Sequence, residues 1–478
     1  MSLKQKAIKG VIWSAIESWG NRVISVSIFF LLARLLDPES FGLAALAGVF
    51  IDFVQIFIDQ GFSQAIIQRE NLEAEHLNSA FWINIGIGIT LTILTLTFAD
   101  LIANGFSQPA LTPIIRWLSL GFLLSSFSKV QEAILQRKLN FKALASRSLF
   151  ASVISGLVGV TMAFMGWGVW SLVTKILVFG TIKTILVWWV SEWRPTFKVS
   201  FAHFKDIFSF GINILGWRIF NFSTRRSDDF LIGYFLGTTA LGYYNVAYRL
   251  LLMITELLMR VSQKVAIPTF SRLQTEPEKL RNAFYQVTQL TSLVSFPVFL
   301  GMAALAPQLI LLTLGEGWNQ SIPIMQILAF VGILHSVANF NDSVLFAMGK
   351  PSWSLRLKIV SAIVICTGFF IAVRYGIVAI AAAYVISNYL LYPISMLLVH
   401  KVIKLDFIKY LYRFKASFFA TVFMVLSILG FQYIIGDSIS LLLSFTLSIL
   451  FAMLIYLSSI YLIQPSLIRH VWKLAHKS

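Results

Sequence analysis

About fourteen apolar runs, each long enough to cross roughly 30 Å of hydrocarbon, follow one another along this chain with only short connections between them. They lie near 11–34, 41–67, 77–100, 111–136, 143–165, 168–190, 206–236, 240–267, 283–314, 321–347, 355–373, 376–399, 414–435 and 438–463. No connection is large enough for a folded domain, so the fold has to be built from the runs themselves. In hydrocarbon a backbone must satisfy its own N–H and C=O groups, and runs of this length do that as helices. Composition agrees: 58% of the residues are hydrophobic and 12% charged, with a mean hydropathy of +0.80. The sequence predicts an all-α polytopic membrane protein of about 14 transmembrane helices. The first run is too long for a signal-peptide core and no clear cleavage site follows it, so it reads as an uncleaved span.

The net charge of +17 does not form a nucleic-acid patch, because the basic residues sit in short loops. They alternate in side. Lys4, Lys6 and Lys9 precede span one; Arg69 follows span two; Arg137, Lys138, Lys142 and Arg147 join spans four and five; Lys401, Lys404, Lys409, Arg413 and Lys415 precede span thirteen. The opposite loops offer only Arg34, Arg116 and Arg374, which predicts both termini on the cytoplasmic side and an even number of spans. Cys366 is the single cysteine, so no disulfide framework or thiolate metal cluster is expected. There is no P-loop, HExxH, CxxC or GxSxG, and we expect no catalytic residues, cofactor or metal: not an enzyme.

A shift of 200 residues sets LLDPESFGLAALA (35–47) on FLGTTALGYYNVA (235–247), matching Leu36 with Leu236, Gly42 with Gly242 and Ala47 with Ala247. It also brings Ile12 onto Ile212 and Ile67 onto Ile267, while GWGVWSLV (166–173) resembles RYGIVAIA (374–381). Six spans separate the copies. The expectation is two six-helix bundles, 1–200 and 201–402, related by a parallel repeat with its axis along the membrane normal. Residues 403–478 add two C-terminal helices and a basic tail.

Charge inside the spans is the functional signal. Span seven carries Arg218, Arg225, Arg226, Asp228 and Asp229, and span eight carries Arg249, Glu256 and Arg260. Each costs about 2.5 to 3.5 kcal/mol at mid-membrane, so a partner or a wet cavity is required. Arg218, Arg225 and Asp229 fall at i, i+7 and i+11, as do Arg249, Glu256 and Arg260, so each helix presents a charged stripe. In the first bundle Glu17 and Arg22 lie on span one, and Asp52, Gln55 and Asp59 on span two. The stripes predict a polar chamber, acidic on the first bundle and basic on the second.

Arg22, Arg218, Arg225, Arg226, Arg249 and Arg260 are the candidates for binding an anionic substrate. Asp52, Asp59, Asp228, Asp229 and Glu256 are candidates for cation coupling or cavity ion pairs, Asp52 and Asp59 either coupling a proton or sodium ion or pairing with an arginine across the cavity. The structural alternative makes Arg225 with Asp229, and Glu256 with Arg260, local i+4 pairs. His335 reads as a satisfied hydrogen-bonder, Lys129 and Glu132 as interfacial, and Trp188, Trp189 and Trp193 as an aromatic belt.

Three stretches are similar to one known family: KGVIWSAIESWGNRVISVSIFFLLARLLDPESFGLAAL near the amino terminus, IDQGFSQAIIQRE after span two, and RRSDDFLIGYFLGTTALGYYNVAYRL across spans seven and eight, followed by IPTFSRLQ. The chain resembles the polysaccharide transporters of the multidrug/oligosaccharidyl-lipid/polysaccharide flippase superfamily, in the branch serving exopolysaccharide, colanic-acid-like or teichuronic-acid-like export. The resemblance implies a bundle with alternating access in the bacterial cytoplasmic membrane and an undecaprenyl-diphosphate-linked oligosaccharide as substrate. It also implies membrane lipids as surroundings, H+ or Na+ as coupling ions, polymerase and export proteins as partners, and no nucleic acid. The sequence departs from the related lipid II flippases, whose Arg-Asp pair late in the first span has no counterpart near Ile28 and Phe29. A cation-coupled multidrug exporter is the alternative within the superfamily, set against by the arginines of spans seven and eight. A polysaccharide polymerase or ligase would need a long outer loop that is not here.

Overall fold

A computed structural model describes residues 3–59, 61–69, 71–200, 218–222, 225–435 and 439–465, and every regular element among them is a helix. They divide into two units, one running to Gly242 and one starting at Tyr243. Among the described residues twelve helices are long and apolar enough to cross a membrane, so this is a multi-pass membrane protein. Of the fourteen expected spans, the seventh, 206–236, falls in part on residues outside the described ones. The eighth is part of one continuous 36-residue helix, Gly237–Arg272, which is not among the twelve.

The first unit contains α1 (Leu3–Leu35), α2 (Pro38–Asp59), α3 (Phe62–Gln68), α4 (Ala74–Gly105), α5 (Leu111–Arg137), α6 (Phe141–Phe164), α7 (Val169–Val190), α8 (residues 225–235) and the first turn of α9 (Gly237–Arg272). Without a hydrophobic force between them in lipid, such helices pack through small residues and side-chain hydrogen bonds. Between α4 and α5, Thr92 donates to the Ser119 carbonyl at 3.3 Å, and a Cβ on Gly88 would lie 2.2 Å from the Ser126 hydroxyl. Between α1 and α6, Asn21 donates to Ser148 at 2.8 Å and accepts from Ser152 at 2.5 Å. Arg137, at the end of α5, donates to the Ile66 carbonyl at 2.7 Å, so a cation covers the carbonyl end of the short α3. After α7 the chain is tied along the start of α4: Asn78 exchanges two hydrogen bonds with Thr196, and Trp82 donates to the Thr196 carbonyl at 2.9 Å.

Helix α2 and the run from α8 into α9 pack antiparallel along their length. Going down α2, Gly42 meets Thr238, Leu46 meets Gly233, Phe50 stands 6.5 Å from Phe230, and Phe53 stands 5.4 Å from Phe222. The top contact is backbone on backbone. A Cβ on Gly42 would fall 1.7 Å from the Thr238 carbonyl oxygen, and one on Gly242 would fall 1.9 Å from the Pro38 carbonyl oxygen. Glycine is required at both, and the two contacts are reciprocal under the 200-residue shift.

The second unit contains the rest of α9, α10 (Pro277–Ala304), α11 (Ala306–Thr313), α12 (Ser321–Ala347), α13 (Pro351–Ala372), α14 (Ile377–Ile403), the short α15 (Phe407–Arg413), α16 (Lys415–Ile435) and α17 (Leu441–Ile463). Its interior repeats the same device. Ser336 donates to Ser295 at 2.8 Å, Asn341 to Ser395 at 2.9 Å, and Ser292 and Ser417 share a hydrogen bond of 2.9 Å. The last of these ties α16 to α10, and Tyr456 ties α17 to the Leu293 carbonyl at 2.7 Å. Asp406 caps α15 by accepting from the Ile408 and Lys409 amides.

Gly42→Ala and Gly242→Ala should each destabilise the protein by at least the 1–3 kcal/mol of ordinary overpacking, because the obstructing atom is backbone. Gly48→Ala, with open space around the position, should be neutral or gain up to about 1 kcal/mol of helix propensity. Thermal unfolding of the three detergent-solubilised variants checks the ordering.

Candidate functional site

Two charge clusters lie inside the first unit. The first joins α2 and α8. Arg226 donates through Nη2 to Asp52 Oδ2 at 2.6 Å and through Nη1 to Asp229 Oδ2 at 2.8 Å, so one guanidinium bridges two helices. The Asp229 amide donates to Asp228 Oδ1 at 2.9 Å, and both aspartates are about 95% buried. A planar fork suits this double contact as an ammonium would not. The structural alternative offered by the sequence was Arg225 with Asp229 at i+4; the arginine that meets Asp229 here is Arg226, at i+3, and Arg225 is exposed. Asp52 meets an arginine of another helix, a contact compatible with either of its two expected roles. Beside it, Gln55 donates to Ser125 on α5 at 2.8 Å.

The second cluster joins α5, α6 and α7. Glu132 Oε1 lies 3.0 Å from Lys183 Nζ and 3.4 Å from Arg147 Nη2. Glu132 and Arg147 are over 90% buried. Two cations on one carboxylate leave one positive charge in surplus, and the next charges out, Lys129 acting on Glu132 and Glu17 acting on Arg147, are of opposite sign and leave that surplus unchanged. The Nε and Nη1 of Arg147 are buried with no hydrogen-bond partner among the described residues, and a buried donor left unpaired costs about 1–3 kcal/mol or more. The cluster is therefore cationic and under-satisfied, a place that gains from an anion. Sequence reasoning does not single it out: Glu132 reads as interfacial and Arg147 as a loop signal, whereas both are enclosed by protein and Arg147 lies in the second turn of α6. The available signal was that Glu132, Arg147 and Lys183 all fall within the boundaries of predicted spans.

The other expected site residues are not brought into either cluster by any described contact. Arg22 on α1 and Arg218 are half-buried, and both make contacts. Arg249 and Glu256 are exposed on α9 and make contacts as well. The side chains of Asp59 and Arg260 lie outside the described residues. In the second unit His335 lies 3.2 Å from Asn388 Oδ1, the satisfied hydrogen-bonder expected of it.

Comparison with known proteins follows from this geometry. Residues 31–323 match the model of a family described as polysaccharide biosynthesis protein. The chain is similar to the teichuronic acid biosynthesis protein TuaB of Bacillus subtilis, 29% identical over 427 residues that make up 88% of each chain. It is similar to the succinoglycan biosynthesis transport protein ExoT of Rhizobium meliloti, 27% identical over 333 residues, 70% of this chain and 67% of that one. Among solved structures, the lipid II flippase MurJ in an inward closed conformation shares the fold, with a TM-score of 0.75 at 14% identity over 96% of this chain and 100% of that one.

Glu132→Gln should strip the neutralising charge from two buried or half-buried cations and cost about 3–5 kcal/mol. Combining it with Lys183→Gln should recover part of that loss, read as thermal stability of the single and double variants in detergent.

Proposed function

Because the chain belongs to this polysaccharide biosynthesis family, we propose that it is a flippase. On this reading it carries an undecaprenyl-diphosphate-linked oligosaccharide across the bacterial cytoplasmic membrane by alternating access, for export of a surface polysaccharide. The observation that carries the reading is the positive surplus that Glu132, Arg147 and Lys183 keep inside a membrane-spanning unit. A diphosphate brings about two negative charges that cannot cross hydrocarbon bare, and guanidinium forks bind phosphate oxygens in pairs. Arg225, exposed beside the Arg226 bridge, and Arg22, Arg218 and Arg249 are the further cations we assign to the headgroup. An outward-moving diphosphate would gain roughly 2.3 kcal/mol per charge per 100 mV from a negative-inside potential.

The polyprenyl chain needs an apolar surface. A recess of about 560 Å³ in the second unit, walled by α10, α16 and α17 with Pro297, Gly301 and Met424 among its lining, offers one. The lysine and arginine asymmetry supports cytoplasmic termini. The reciprocal Gly42 and Gly242 contacts support a parallel repeat. Coupling to H+ or Na+ we read onto Asp52 and Asp229, the two carboxylates that meet Arg226, and onto Asp228, which accepts from the Asp229 amide. A multidrug exporter of cations fits less well, since a cationic drug would meet the surplus positive charge on α5–α7.

The decisive assay reconstitutes the protein in liposomes with a labelled polyprenyl-diphosphate oligosaccharide. Transbilayer movement above that of empty vesicles is expected, and none would overturn the reading. Arg225→Ala should lower the rate tenfold or more while membrane insertion is kept; a wild-type rate would remove Arg225 from the mechanism.

Asp52→Asn should change how the rate depends on pH or sodium. An unaltered dependence, measured across both gradients, would leave Asp52 as a tie for Arg226 alone.

A further inference from the structure

A second cationic recess, of about 710 Å³, opens at the helix ends of the first unit where α1, α5, α6 and α7 come together. Lys9 and Trp13 of α1, Lys138 beyond α5, Lys142 of α6, and Ser191 and Glu192 after α7 line it. Its construction differs from a scatter of surface lysines in three respects. The amino terminus of the 24-residue α6 opens onto it, with Asn140 as its cap, so the positive end of a helix dipole faces the same space. Lys142 is held with its Nζ 5.7 Å from the centre of the Trp13 ring. Ser191 lines the recess and is 97% buried, yet its hydroxyl has no hydrogen-bond partner among the described residues. The acid on the rim does little to cancel the lysines: Glu192 meets Lys138 at 3.5 Å, and both side chains are largely exposed.

The recess lies at interfacial depth. Trp189, two residues before Ser191 at the end of α7, is 79% exposed, as an indole at headgroup level would be. Three ammonium groups, a helix amino terminus and a buried hydroxyl around an interfacial hollow match one chemistry, a phosphodiester with acyl chains running back along the helices. We propose that this recess binds the headgroup of an anionic phospholipid of the leaflet on the amino-terminal side, as a site separate from the substrate's. Phosphate chemistry alone would also suit a free anion or the substrate's diphosphate, so the test separates the three.

The experiment is native mass spectrometry of the full chain released from phosphatidylglycerol-containing nanodiscs, with phosphatidylcholine nanodiscs as reference. Retained phosphatidylglycerol is expected on the wild type. Lys138→Gln with Lys142→Gln should weaken it tenfold or more, at about fivefold for each basic residue near an anionic headgroup. Ser191→Ala, which leaves the charge alone, should weaken it by roughly threefold, a loss that diffuse surface attraction would not produce. Lys279→Gln, on an exposed lysine of the second unit, should leave it unchanged. Retention equal to wild type in the double-lysine variant overturns the proposal. Full displacement by millimolar inorganic phosphate makes it a free-anion site, and one-for-one displacement by a polyprenyl diphosphate makes it part of the substrate path; either overturns a separate lipid site. Because binding is read without transport, a failed flipping assay leaves this result standing, and the reverse holds equally.

Discussion

A charge in hydrocarbon must find a counter-charge, and the way each is neutralised shapes the first unit. Arg226 meets two carboxylates from two helices, and in doing so fixes the register of α2 against α8. Contacts above and below that bridge are apolar or backbone, so the antiparallel pair is specified at one depth by charge and at the others by shape. Removing the guanidinium would take from the buried Asp229 the cation that it meets at 2.8 Å. By that reasoning Arg226 is first of all a structural tie, and a phosphate would have to compete with two carboxylates for it.

The Glu132 cluster solves the same problem incompletely. One carboxylate between an arginine and a lysine neutralises half of what it touches, and part of the Arg147 fork remains unmatched. Burying such a group is expensive, and a fold that needed only stability would do better with apolar side chains of similar volume. The surplus is therefore best accounted for by function. The expectation from sequence set an acidic first bundle against a basic second one. The unit that runs to Gly242 takes in α8, which that expectation gave to the second bundle, and it holds a carboxylate-rich centre on α2 and α8 and a cation-rich one on α5–α7.

The spans were legible because hydrocarbon imposes their length and apolarity directly on the residues: α4 through α7, α12 through α14, α16 and α17 lie close to where the runs placed them, while the run 283–314 divides into α10 and α11 and the short α15 falls between runs. The identity of Gly42 with Gly242 was legible too, but only as a repeat; that each faces a carbonyl oxygen could not be read from spacing. Pairing was less legible. At i+3 and i+4 a helix offers Asp229 two arginines of the same charge, and the choice of Arg226 depends on Asp52, which is 174 residues away. Glu132, five residues from a helix end, reads as headgroup depth, and spacing alone does not show that protein encloses it. It is buried because α6 and α7 pack against that turn of α5 and bring Arg147 and Lys183 with them.

Small polar residues carry the remaining specificity. Ser126, Ser148, Ser295, Ser336 and Ser417 are buried at helix crossings, and each forms a hydrogen bond that a lipid tail cannot replace. Individually such bonds are worth roughly 0.6 to 2 kcal/mol in a membrane. Their distribution matters more than their sum. In the second unit they join α10 to α12 and α16, and among the described residues one serine pair and one tyrosine tie the two C-terminal helices to α10, beside apolar contacts. The apolar recess lies along that lightly bonded seam. A seam without further polar ties can part slightly and close again without stranding a buried hydrogen-bonding group, which is the property a surface needs if it is to admit and release a long hydrocarbon chain.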